Sequence, residues 1–163
     1  MGEILETQFY GNNLQQWGIS LLIILAAVVV GKFLYWFFGN VVKKLTQKTK
    51  SKLDDILLDM LEEPIVFAIT IVGIWMGFDR LNLSPGMEAF TGKVFYILVT
   101  INITWLAARL VDSIIREYVV PLSAKSETDL DDQLLPIVRK GLRLIIWVMG
   151  IVVALNNAGY DVG

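Results

Sequence analysis

Neither cysteine nor histidine occurs among the 163 residues. The first absence removes disulfides, thiol nucleophiles and cysteine-ligated metals. The second removes the commonest general base and metal ligand. Charge is scarce as well, at 18% of residues against 55% hydrophobic, and the mean hydropathy is +0.61. A soluble domain of this length needs more charge than that to cover its surface. No lysine or arginine precedes the first apolar run, where Glu3 and Glu6 stand instead, which is unlike the basic start of a cleavable signal peptide. Phosphate-cradling loops, zinc spacings and nucleophile motifs are all missing. Neither an enzyme nor a bound cofactor or metal is expected.

What is present is apolar and long. Trp17 to Phe38 runs for 22 residues with Lys32 as its only charge, enough to cross a hydrocarbon core of ~30 Å as a helix. Lys32 falls in the last turns, where a long side chain reaches the headgroups. Ile65 to Phe78, Val94 to Ala108 and Leu144 to Leu155 are shorter uncharged runs extended by amphipathic residues. The expected fold is an all-α integral membrane protein with four transmembrane helices, over 17–38, 64–83, 89–111 and 139–157. Four buried helices of a soluble bundle are the alternative.

Orientation follows from the lysines and arginines beside the spans. Lys43, Lys44, Lys48, Lys50 and Lys52 follow span one, and Arg109, Arg116, Lys125, Arg139, Lys140 and Arg143 flank the turn after span three. The opposite side holds Arg80 and Lys93. Eleven against two puts both basic elbows in the cytoplasm, with the N-terminus and Gly163 outside. Beside a span, the basic run from Lys43 to Lys52 orients the protein and meets anionic lipid; no nucleic-acid partner is expected.

One phrase occurs twice. Lys48 to Leu58 and Lys125 to Leu135 both read K-x-x-[S/T]-x-L-D-D-x-L-L, offset by 77 positions. At that offset Lys32 maps onto Arg109, Gly73 onto Gly150 and Gly77 onto Ala154. A repeat that keeps register over a whole unit indicates one module built twice. The units are 1–83 and 87–163, two tandem hairpins sharing one orientation, a parallel rather than an inverted repeat. Each elbow opens with a capping signal, Ser51 with Asp54 and Thr128 with Asp131, in which a hydroxyl satisfies free amides and acidic residues suit the positive helix end. These amphipathic elbows are expected to lie at the cytoplasmic interface before turning into the membrane, with Pro64 and Pro136 able to kink the passage.

Small residues four apart, Gly73-x-x-x-Gly77 and Gly150-x-x-x-Ala154, allow helix backbones to approach closely in lipid. Glu62 and Glu63 stand at the repeat positions of Arg139 and Lys140; the four either pair across adjoining elbows or stay solvated. Arg109, Asp112 and Arg116 have the spacing of a local ion-pair ladder rather than a proton relay. Asn102, between Thr100 and Thr104, is the most polar point deep in a span. It either hydrogen-bonds an adjacent helix or serves function. Trp17, Tyr35, Trp36, Tyr96 and Trp105 sit toward span ends as interfacial anchors.

The segment Thr128-Asp-Leu-Asp-Asp-Gln-Leu-Leu-Pro-Ile-Val-Arg-Lys-Gly, a span, then Leu155-Asn-Asn-Ala-Gly-Tyr-Asp-Val-Gly resembles the family of mechanosensitive channels of small conductance (MscS-like). The resemblance is specific from about Ser126 to Val162, and unit one looks like the additional N-terminal hairpin of five-span members. It implies a homo-heptamer in a bacterial-type inner (plasma) membrane, gating inorganic ions under stretch during osmotic downshock. Peripheral helices would form lipid-facing paddles, a Gly/Ala-rich third core helix would line the pore, and a cytoplasmic cage would follow. On this resemblance the chain is the tension-sensing part of a longer protein, stopping where the pore helix should begin. The Leu130-Asp131-Asp132 elbow and the cluster Arg139, Lys140 and Arg143 would lie at the cytoplasmic interface near membrane lipid. Gly73, Gly77, Gly150, Trp147 and Met149 are the candidates to line lipid-facing grooves and tune gating. A stand-alone four-span scaffold or accessory protein is the alternative; a small transporter and an intramembrane enzyme rank behind it.

Overall fold

A computed structural model describes residues 8–46, 52–123 and 130–160. Four long helices dominate: α1 (Leu14–Phe37), α3 (Lys52–Phe78), α4 (Pro85–Ile114) and α6 (Leu130–Asn157), with one-turn helices α2 (Lys43–Thr46) and α5 (Val120–Ser123). The neighbour order is α1, α3, α4, α6: α1 packs on α3, α4 packs on α6, and α3 on α4 joins the two hairpins. Three stretches, Leu14–Val42, Leu58–Phe78 and Pro85–Val119, are long and apolar enough to cross a membrane by length and composition. The fourth helix does not reach that standard. Arg139, Lys140 and Arg143 leave the uncharged run Leu144 to Leu155, about 18 Å at 1.5 Å per residue. The chain is thus an all-α, multi-pass membrane protein with three spans of this quality among its four long helices.

Helix α1 does not stop at Phe37. It passes through a π-helical segment, Phe38–Val42, into α2, and α4 passes through Ile115–Val119 into α5 in the same way. The two π segments are 77 positions apart, as are α2 and α5. A π segment widens one turn and rotates everything beyond it, so both helices re-aim their polar ends at equivalent points. Among the described residues the expected amphipathic elbows are not set off from the spans that follow them. Lys52–Phe78 and Leu130–Asn157 are each one continuous α-helix, with Pro64 and Pro136 inside them. A proline costs its own helical hydrogen bond; Pro64 is fully buried, and that packing offsets part of the loss. Ser51 and Thr128 lie outside the described residues, and with them the capping pattern they were expected to form with Asp54 and Asp131.

The seams within the hairpins depend on glycine. A Cβ added at Gly73 on α3 would collide with the Cβ of Ala27 on α1, and one at Gly150 on α6 would collide with the Thr104 side chain on α4. Ala27 and Thr104 are themselves 77 positions apart, so the same backbone approach occurs in both units. Gly77 is closed in by Ile24 and the Ser20 carbonyl, and Ala154 is buried. The seam between hairpins is built from rings instead: Phe67 on Trp105, and Trp75 and Phe78 on Phe95, with centroids 6.2–6.4 Å apart. Outward faces are apolar, with Leu21, Leu22, Val29 and Phe33 on α1 and Leu144, Ile145 and Met149 on α6 all exposed, as lipid-facing surfaces are.

One element has no counterpart in the sequence reading. Gln8–Phe9 and Asn12–Asn13 pair as a two-stranded antiparallel hairpin. Its two-residue turn places Tyr10 and Gly11 at φ 51° and 76°, the left-handed pair such turns need. Asn12 is 1% exposed. Its Nδ2 donates to the Tyr10 and Asn82 carbonyls (3.1 Å each), and its Oδ1 accepts from the Asn82 N–H (2.6 Å). This ties the start of α1 to the α3–α4 connection. Asn13 then caps α1 in a reciprocal box with Gln16.

Candidate functional site

The end of the molecule that carries the basic residues holds a cavity of about 660 Å³ between the two hairpins. Tyr35 comes from α1, and Lys43 from α2, beyond the first π segment. Asp59, Met60, Glu62 and Glu63 come from α3; Trp105, Ala108, Arg109, Asp112 and Ser113 from α4; Arg116 from the second π segment; Arg143 and Trp147 from α6. Four cations and four carboxylates therefore face one space, with three aromatic side chains among them.

Most of these charges are matched. Lys43 Nζ lies 2.9 Å from Asp59 Oδ1, both well exposed. Arg109 donates to Glu63 across the inter-hairpin seam, and its guanidinium sits 5.6 Å over the Trp105 ring, a cation–π contact. Asp112 is the hub of the second hairpin. Arg139 holds both of its oxygens from Nε and Nη2; Arg143 adds a contact at 2.9 Å and Arg116 one at 3.4 Å. At 13% side-chain exposure Asp112 is shielded enough for such contacts to outweigh ordinary surface pairs. Three guanidiniums on one carboxylate leave a local positive excess. Glu62, half-buried against Gly39, makes no ion pair or hydrogen bond among the described residues.

Several sequence expectations change here. Glu63 pairs with Arg109 and Arg139 with Asp112, so the suggested pairing of Glu62 and Glu63 with Arg139 and Lys140 does not form. The ladder at Arg109, Asp112 and Arg116 is half present: Asp112–Arg116 is made at i,i+4, while Arg109 leaves for the other hairpin. The reason is rotational, since Arg109 shares the face of Trp105 and Asn102 that meets α3. Gly73, Gly77 and Gly150 lie in helix–helix seams, not in lipid-facing grooves, because a backbone approach needs them inside. Trp147 lines the cavity, whereas Met149 is exposed on the outer face of α6. Arg139 and Arg143 belong to the Asp112 cluster, and Lys140 is exposed beside it.

Asn102 is 9% exposed, yet its Oδ1 finds no hydrogen-bond partner, alone among buried side-chain atoms of the described residues. The helix-to-helix hydrogen bond expected for it is not made there. Thr100 and Thr104 instead bond back to their own helix, to the carbonyls of Tyr96 (2.7 Å) and Thr100 (2.8 Å). Among the described residues no group of three or more acidic side chains has metal-holding geometry. Sequence reasoning missed the hub at Asp112. Its signal was the spacing of Asp112 with Arg109 and Arg116 along one helix, whereas its partners on α6 depend on helix rotation.

No family model matches the chain, and no solved structure matches it. Curated relatives do. A small-conductance mechanosensitive channel, MscMJ, of Methanocaldococcus jannaschii is 28% identical over 97% of the chain and 45% of its own length. The large-conductance mechanosensitive channel MscMJLR of the same organism is 27% identical over 93% of the chain and 42% of its own length. An uncharacterised MscS family protein of Bacillus subtilis, YhdY, is 25% identical over 99% of the chain and 43% of its own length. The chain spans less than half the length of each. Over nearly its whole length, then, this chain has MscS-family mechanosensitive channels as its homologues.

Proposed function

We propose that the chain is the tension-sensing transmembrane paddle of an MscS-like mechanosensitive channel, responding to membrane stretch to gate ion efflux during osmotic downshock. One observation carries the reading: 25–28% identity to such channels over 93–99% of the chain. In this reading all four long helices cross the inner membrane as two parallel-repeat hairpins, with the basic ends cytoplasmic and α6 completing its span with snorkelling Arg139, Lys140 and Arg143. The π segments and the glycine approaches, both recurring at 77 residues, support the repeat. The assembly is a homo-oligomer, a heptamer by family resemblance, with membrane lipids around the paddles and inorganic ions as cargo.

Tension favours whichever state occupies more membrane area, and a lipid that binds one state better biases the equilibrium toward it. Gly73 on Ala27 and Gly150 on Thr104 make each hairpin a close-packed pair. The α3–α4 seam, with aromatic rings and an unsatisfied Asn102, is the weaker joint. Stretch therefore moves hairpin against hairpin more readily than helix against helix within one. Patch-clamp of the full-length channel under graded suction tests this. Gly73→Leu and Gly150→Leu should each shift the opening threshold; unchanged thresholds in both, with channels present in the patch, would overturn the reading.

A further inference from the structure

We infer that the cavity between the hairpins is a selective site for a phospholipid headgroup bearing a primary amine, with Glu62 holding the ammonium and Arg116 and Arg143 the phosphate. The inference rests on the membrane reading above, because it needs the basic end of the molecule at headgroup level. The charge inventory carries it. Among the described residues Lys43 forms an ion pair with Asp59 and Arg109 one with Glu63. Asp112 is shared by Arg116, Arg139 and Arg143, so among the described residues two guanidinium charges remain uncompensated on that wall. Arg116, at 3.4 Å from Asp112 and 62% exposed, has the capacity to turn toward a ligand. On the other wall stands Glu62, without an ion pair among the described residues. The space thus presents a surplus of positive charge on one wall and, on the other, a carboxylate that Lys43 and Arg109 attract without forming an ion pair with it among the described residues.

A zwitterion with phosphate at one end and ammonium at the other satisfies both walls at once. A purely anionic headgroup answers the guanidiniums and leaves Glu62 facing like charge. Free phosphate does the same and has no acyl chains to anchor it beside the apolar faces. A quaternary amine fits less well, because Glu62 then loses the N–H donors that make charge-assisted hydrogen bonds strong. Tyr35, Trp105 and Trp147 bound the same space, and amphipathic rings of this kind sit at headgroup depth. The cavity, at about 660 Å³, is of the size that small-ligand sites occupy.

The test is lipid retention by the purified full chain in nanodiscs, read by native mass spectrometry. Equal mixtures of phosphatidylethanolamine, phosphatidylglycerol and phosphatidylcholine with matched acyl chains serve as probes. Phosphatidylethanolamine should be retained about tenfold over either competitor. Glu62→Gln should abolish that preference while phosphatidylglycerol binding persists; Glu62→Asp should restore part of it. Arg116→Gln should weaken retention of both. Inorganic phosphate at millimolar concentration should displace nothing. Equal retention of the three lipids by the unsubstituted chain overturns the assignment, as does a preference for choline, an unaffected preference in Glu62→Gln, or displacement by phosphate. Because the readout is binding to this chain, it fails or succeeds separately from the gating reading, which suction thresholds decide.

Discussion

The first hairpin closes on glycine against alanine, Gly73 on Ala27, and its polar end carries the exposed pair Lys43–Asp59. The second closes on glycine against threonine, Gly150 on Thr104, and its polar end gathers three arginines on the shielded Asp112. Backbone events recur at one spacing, while the side chains around them have diverged. Close helix approach leaves few choices, since a residue larger than glycine forces the backbones apart. Electrostatics at a helix end leaves many, because any carboxylate within reach serves. The consequence is two hairpins with similar frames, of which the second is more firmly bound at its polar end. Glu63–Arg109 is the ion pair that links them among the described residues.

Substitution separates the frame from its decoration. The largest effect should come from the glycines. Gly73→Leu is expected to destabilise the first hairpin by about 3 kcal/mol or more, since overpacking against an immovable neighbour exceeds the usual range. Denaturant unfolding in mixed micelles measures it. Exchanging the pair as Gly73→Ala with Ala27→Gly should recover most of the loss seen in Gly73→Ala alone. No recovery would mean that the approach is not what Gly73 serves.

Next in size is Asp112→Asn, which strands Arg139 and Arg143. Truncating one member of a buried pair is costly, but these arginines are partly exposed, so about 1–3 kcal/mol is expected. Asn102→Leu should act in the opposite direction. It removes a buried carbonyl oxygen that has no partner and should stabilise the α3–α4 seam by about 1 kcal/mol. On the proposed reading, the same change should raise the opening threshold of the whole channel. A lower threshold would show that the amide finds a partner in the closed assembly. The smallest effect is expected at the first hairpin's polar end. Asp59→Asn breaks a pair whose members are 46% and 62% exposed, worth about 0–1 kcal/mol and sensitive to salt. A loss there as large as for Asp112→Asn would erase the contrast between the hairpins.

The long helices, their apolar faces and the 77-residue spacing could all be read from residue order, because each is a local or periodic property. Asn12 could not. Its role depends on meeting Asn82, seventy positions away, which no local pattern encodes. That each elbow segment runs on into its span was illegible for a different reason. An acidic amphipathic segment before a proline reads as a separate helix, yet the α-helix continues through Pro64 where packing covers it. The ion pairs were misassigned because sequence spacing orders residues along one helix but says nothing of how two helices are rotated against each other.

Composition and order alone determined that this chain is helical and apolar, that one phrase recurs after 77 positions, and which of its ends is basic. Those follow from hydropathy, periodicity and charge counts, which need no partner helix. Tertiary structure decided the rest: that the glycines face alanine and threonine rather than lipid, that Asp112 gathers three arginines, that Glu62 forms no ion pair among the described residues. Each of these depends on the rotation and depth at which neighbouring helices meet, set by packing across seams that no single segment contains.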